Sequence, residues 1–216
     1  MKYGRKEDVL INPSFYNLKQ QKQERIINAG IKEFVRNGFD KSSTNAIVEE
    51  AGISKGSLFN YFNNKKDLYL FLLDYSLEIV DKIIDDIDLE DGDLFNRIHK
   101  VGIRKLKVQM EFPHLFDLMT AAVAEESEDV RDIIKVRLSP VYRESQNKLY
   151  ENIDYSLFRE DVDVEKAIEI LTWTMTGYGD KAVSQLRSFE DLGEFGERYL
   201  EEWERYSEIL KYSFYK

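Results

Sequence analysis

Between Ser43 and Asp67 the chain reads S-T-N-A-I-V-E-E-A-G-I-S-K-G-S-L-F-N-Y-F-N-N-K-K-D, and the glycine at position 52 constrains the fold more than any other residue. It separates two runs of helical periodicity, each too short to be stable alone, so they must be held at an angle on a common core. Ser43 suits the cap of the first helix, which should bury Ile47, Val48 and Ala51 before Gly52 stops it. Ile53 returns the chain to the core. Ser54 then caps a second helix in which Leu58, Phe59 and Phe62 are expected to share one face.

The opposite face of that second helix carries Lys55, Ser57, Asn60 and Tyr61. A helix anchored on one side and polar on the other, with its first turn leading, is suited to the major groove of DNA. Hydroxyls, a cation and an amide suit phosphates and base edges. Charge is distributed to match. The whole chain is at minus ten, yet residues 1–67 hold twelve Lys/Arg against eight Asp/Glu, a net of plus four, which leaves minus fourteen for the rest. A basic head attracts phosphates while an acidic body is repelled by them.

From about Glu24 to Leu72 the chain resembles the tetracycline-repressor (TetR) family of bacterial transcription regulators. The resemblance rests on R-I-I-N-A-G-I-K-E-F-V-R-N-G-F, then S-T-N-A-I-V-E-E-A-G-I-S-K-G-S-L-F-N-Y-F, then N-K-K-D-L-Y, in order and at the family's spacings. Beyond about Asp85 it is architectural only. The resemblance implies that Ser43 and Thr44 touch phosphates and that Lys55, Ser57 and Asn60 approach bases. It implies phosphate contacts for Tyr61, Lys65 and Lys66, and adds Ser54 and Gly56 to the DNA-facing set. Asn60 stands where histidine is frequent in the family, so base preference at that position is open. The bland alternative for Lys65 and Lys66 is two solvated lysines at a helix start, where amides already favour anions.

Around this motif, Asn17 with Gln20 resembles a capping box opening a helix to Asn37 that buries Ile26, Ile27, Gly30, Ile31 and Phe34, with Gly38 as its stop. Lys2, Arg5 and Lys6 lie in a segment without periodicity, either a basic arm for a minor groove or a disordered end. Asn64 should cap a long helix with Leu68, Leu72, Tyr75, Ile79 and Ile83 inward. The acidic run Asp85–Asp93 fails as a calcium loop, because Ile87 and Leu89 fall where oxygen ligands are needed; Asp93 reads instead as a helix cap. Helices are expected from Leu94 to Glu111, from His114 to Glu125, and through Tyr150 with a kink at Pro140.

Two final helices carry stripes, Val164, Ile168, Leu171, Met175, Tyr178, Ala182 and Leu186 on one, and Phe195, Tyr199, Trp203, Tyr206, Leu210 and Phe214 on the other. The resemblance implies that these helices pair in a homodimer, with Leu171, Met175, Tyr199, Trp203, Tyr206 and Leu210 as interface candidates; alternatively the stripes close a monomer's own core. Thirteen tyrosines and thirteen phenylalanines enrich the body in aromatic surface. Most of it should be core. A cavity for a small-molecule effector would draw on Phe112, Phe116, Met119, Tyr142, Trp173 and Tyr178.

The expectation is therefore an all-α protein: an extension over 1–18, a three-helix helix-turn-helix head over 19–67, and a regulatory and dimerisation body over 68–216. Its partners would be a palindromic DNA operator, an effector and a second copy of itself, and its action that of a ligand-responsive repressor. No metal or cofactor is expected. With no cysteine, no phosphate-binding glycine loop and only His99 and His114, catalysis has little support. A charged start and no apolar run of spanning length suggest a cytoplasmic protein. Two other readings stay open: a helical ligand-binding or interaction module with a vestigial DNA head, which would be expected to lack the lysines of the reading face, and a constitutive regulator without an effector.

Overall fold

The computed structural model describes residues 11–86, 88, 90–112, 114–185 and 192–216. The candidate arm residues Lys2, Arg5 and Lys6, positions Ile87, Leu89 and Pro113, and the stripe position Leu186 lie outside what it describes, as do the side chains of the stripe positions Ala182 and Phe195. The described residues are helical apart from turns and two isolated bridges. The chain divides into two compact units, one of residues up to Asp85 with Phe112–Ser145, the other of Asp86–Glu111 with Gln146–Lys216.

The first unit holds α1 (Gln20–Lys41), α2 (Thr44–Ala51), α3 (Lys55–Tyr61), α4 (Lys65–Asp85), α6 (Leu115–Val123) and most of α7 (Arg131–Tyr150). In α1 the face Ile26, Ile27, Gly30, Ile31 and Phe34 is buried as expected. Gly30 lies at a close approach of α1 and α4: a Cβ there would meet Leu72 Cδ1 of α4 at 2.7 Å, so that side chain would have to shift. Gly38 leaves the helical conformation at φ 67°, a region that glycine enters without a steric penalty. The start of α1 differs from expectation. It begins at Gln20 with Lys19 in the cap position and no side-chain cap. Gln23 ties the preceding turn to the helix, its amide donating to the carbonyls of Tyr16 and Leu18.

Helix α4 is buried on several faces from Leu68 to Leu73, because α1 and α6 both pack on it and α7 reaches it through Arg137. That is why the head and the start of the body form one unit: α4 is a single helix whose turns serve both. Arg137 is almost fully buried, and its Nη1 donates to the Asp74 carboxylate at 2.8 Å and the Leu70 carbonyl at 3.2 Å. Pro140 sits inside α7 without ending it.

The second unit contains α5 (Leu94–Glu111), α8 (Val164–Gln185) and α9 (Leu192–Phe214) around Leu94, Phe95, Ile98, Phe158, Leu171 and Trp203. Asp93 caps α5 by accepting from the Phe95 amide at 2.9 Å. The same carboxylate receives Lys211 Nζ at 2.7 Å and the Tyr215 hydroxyl at 3.2 Å from the chain's far end. Buried Arg97 donates to carbonyls of Asp91 and, at the end of α7, of Leu149, Glu151 and Asn152, supplying donors that the last turn of a helix lacks. In the acidic loop, Lys100 holds Asp91 at 2.7 Å and Arg104 holds Asp86 at 3.0 Å.

Candidate nucleic-acid interface

Local capping builds the helix-turn-helix as the sequence indicates. Ser43 Oγ accepts from the Ala46 amide at 3.4 Å, and Ser54 Oγ accepts from the Ser57 amide at 3.1 Å. Between the two helices Gly52 adopts φ 65°, ψ 42°, and its amide closes the last turn of α2. Ile47 and Ala51 of α2 are buried and Val48 is half-buried. Asn64 Oδ1 caps α4 through the Asp67 amide at 2.8 Å.

On α3, Leu58 and Phe62 are buried, but Phe59 is 37% exposed, which corrects the expected inward trio. The helix ends at Tyr61, and Phe62 takes extended geometry at φ −128°, ψ 122°. The helical spacing that would have put Phe59 above Phe62 therefore never forms. Lys55, Gly56, Phe59 and Asn60, at helical spacing, make the exposed face. A Cβ at Gly56 would have no neighbour closer than Ser54 Oγ at 4.0 Å, so this face is open at the backbone.

Three expected contact residues are engaged within the protein. Ser57 Oγ lies 2.8 Å from Ser54 Oγ. Tyr61 is buried, its ring 5.8 Å edge-on from Phe15. Lys65 Nζ donates to the carbonyls of Phe39 at 2.7 Å and Asp40 at 3.1 Å and stands over the Phe39 ring. Its ammonium closes the turn after α1. Ser43 is exposed, and Thr44 and Lys66 are half-buried.

Residues 11–15, within the expected extension, pack against the end of α3 and the start of α4. Asn12 caps a short 3-10 turn at Pro13–Phe15, and its own amide donates to the Tyr61 carbonyl at 2.9 Å. Phe15 is 1% exposed and packs on Phe62 and Phe71 at 5.1 and 5.2 Å between ring centres. Asn60 Nδ2 reaches Ser14 Oγ at 3.4 Å. Nothing in the periodicity of so short a segment signals this; only the aromatic Phe15 beside Pro13 hints at a fixed turn.

The body candidates separate. Phe112, with its ring 6.1 Å from Tyr75, half-buried Phe116, buried Met119 and exposed Tyr142 belong to the first unit. There Tyr142 lines a half-open groove of about 550 Å³ between α6 and α7, with Val123, Glu125, Arg131, Ile134 and Leu138. Trp173 and Tyr178 belong to the second unit. Trp173 is 67% exposed beside a more open groove of about 680 Å³ with Tyr150, Ile168 and Thr172. Tyr178 stacks on Tyr199 at 4.8 Å, and burial pushes its hydroxyl up to about 12.

Of the dimer candidates, Leu171 and Trp203 are core residues of their own unit, with Met175, Tyr206 and Leu210 packed against that core and Tyr199 held by Tyr178. The stripes of α8 and α9 meet each other. Among the described side chains, the large apolar residues those helices leave exposed are Ile170 and Trp173 on one, and Ile209 and Tyr212 on the other. No described helix is long and apolar enough to cross a membrane.

The family model "Bacterial regulatory proteins, tetR family" matches residues 26–71, the span of α1 through the first turns of α4. The chain is 23% identical over 150 residues to the HTH-type transcriptional regulator YfiR of Bacillus subtilis (strain 168), a match covering 66% of this chain and 62% of that protein. It is 29% identical over 107 residues to the HTH-type transcriptional regulator TtgR of Pseudomonas putida, covering 49% of each. The matched stretches thus span between half and three-fifths of these relatives. In fold it is similar to a TetR family transcriptional regulator from Chloroflexus aurantiacus J-10-FL, with TM-score 0.69 and 23% identity over 96% of this chain and 99% of that one. Residues 26–71, which build the capped helix-turn-helix, thus match the model of the tetR family of bacterial regulatory proteins, and the helical architecture of the chain is similar to that of a solved TetR family regulator.

Proposed function

We propose that the chain is a cytoplasmic, sequence-specific DNA-binding regulator of transcription that acts as a homodimeric, ligand-responsive repressor. The observation that carries this reading is the exposed face of α3, with Lys55, Gly56 and Asn60 outward over buried Leu58 and Phe62. Lys55, Ser57 and Asn60 approach base edges, and Phe59 offers an apolar edge suited to a thymine methyl. Ser43, Thr44 and Lys66, at the starts of α2 and α4, meet phosphates, where helix amides add to the attraction. Ser54 supports the contact as the cap of α3, and Tyr61 and Lys65 support it by holding α3 and the preceding turn.

A second copy of the chain covers Ile170, Trp173, Ile209 and Tyr212. A two-fold dimer then presents two reading helices to half-sites about 34 Å apart, one turn of DNA. A small-molecule effector in the body lowers operator affinity by preferring the state that does not bind DNA. Selection of bound duplexes from random DNA at two salt concentrations tests the reading. A palindrome with strong salt dependence is expected; no preference for any duplex over competitor refutes it.

A further inference from the structure

The end of α1 beyond the kink at Gly38, with the turn into α2, spans residues 38–42 and is held by side chains from far along the sequence. Glu125, in the connection between α6 and α7, accepts from the Phe39 amide through Oε2 at 2.8 Å, across 86 residues of chain. Its other oxygen accepts from the Ser127 amide at 3.0 Å, which fixes the carboxylate's direction. Buried Ser127 donates through Oγ to Asp40 Oδ1 at 2.7 Å. From a third direction Lys65 Nζ takes the carbonyls of Phe39, Asp40 and, at 3.4 Å, Ser42. Directly after this turn come Ser43 and Thr44, the start of α2, and α2 in turn carries α3.

We infer that Glu125 is a positioning residue for DNA binding: with Ser127 and Lys65 it forms a polar joint that sets how α2 and α3 are presented, without itself touching DNA. The inference rests on the DNA-binding reading above. A charge-assisted bond to a backbone amide is among the stronger and more directional contacts available to a carboxylate. Because both Glu125 oxygens are engaged, its geometry is set by the α6–α7 connection and passed to an amide four residues before Ser43. Residues of that connection therefore influence DNA affinity through orientation, whereas contact residues act through the interface itself.

The test uses the full chain with Glu125→Ala, Glu125→Gln and, as a neighbouring control, Glu126→Ala. Operator affinity, affinity for a random duplex, thermal midpoint and amide exchange of residues 39–43 without DNA are measured below the unfolding transition. Glu125→Ala is expected to accelerate exchange at Phe39 and to weaken operator binding by about ten-fold, with random-duplex affinity changed by less than about two-fold. Glu125→Gln, which keeps one acceptor, should fall between, and Glu126→Ala should match wild type. If Glu125→Ala does not fold, the Gln variant carries the same comparison. Unchanged exchange, unchanged operator affinity, or an equal loss on both duplexes overturns the inference. A wild-type protein that selects no duplex refutes the DNA reading and the positioning role with it, while a loss of exchange protection still identifies the joint as a separate structural fact.

Discussion

Replacing Phe15 with alanine tests whether the segment before α1 is structurally part of the head. The ring is 1% exposed and lies within 6 Å, centre to centre, of Tyr16, Tyr61, Phe62 and Phe71. Its removal forfeits the transfer free energy of a buried phenyl group and leaves a cavity between α3 and α4 that the backbone can only partly close. Buried Phe→Ala changes cost about 3–5 kcal/mol. For a unit of this size that lowers the unfolding midpoint by roughly 10 °C or more. The cost should be localised. Tyr61 and Phe62 end α3, so amide exchange in α3 and in the first turns of α4 should accelerate, and operator affinity should fall although no DNA contact has been removed. Urea unfolding followed by far-ultraviolet circular dichroism, with exchange read by mass spectrometry, measures both effects; Tyr16→Ala, at a ring 54% exposed, is the control. A loss below about 1 kcal/mol, comparable to an ordinary surface substitution, would show that Phe15 does not support the head.

Gly56→Leu should leave stability nearly unchanged, because the space around that position is open, yet abolish measurable operator binding in a mobility-shift titration by blocking close approach of α3. Lys66→Ala should weaken binding and reduce the slope of log affinity against log salt by about 0.9, as loss of one phosphate contact does; Lys65→Ala should in addition lower the thermal midpoint, since its ammonium holds backbone carbonyls. Trp173→Glu should convert dimer to monomer in sedimentation without unfolding the protomer, given its exposure. Stability should also fall as pH rises from about 10 to about 12, since the unfolded chain ionises its tyrosines first while burial holds Tyr178 neutral to about 12 and raises Tyr69 and Tyr215 as well; titration of tyrosinate absorbance alongside unfolding measurements checks the sign.

The residues that could be read from the string are those whose physics is local. Ser43, Ser54, Asn64 and Asp93 cap helices through amides two or three residues away, and Gly38 and Gly52 interrupt helices by backbone conformations that glycine adopts readily. The stripes of α1 and α4 follow from helical spacing alone. Phe59 escaped because whether it is buried depended on where α3 ended, a matter of one residue.

What the amino-acid order determined by itself was the alphabet of the head: two capped helices, the glycine between them, a polar face and the all-helical class. The tertiary structure decided which partner each side chain met. Lys65 reached the carbonyls of the α1–α2 turn, Glu125 an amide 86 residues away, and Arg97 and Arg137 their buried acceptors. It also turned Leu171 and Trp203 inward while leaving Ile170 and Trp173 at the surface. The physical reason is that propensity and capping act within one or two helical turns, whereas packing is chosen among distant segments by how well their surfaces fit, and neighbouring residues in the chain do not encode that choice.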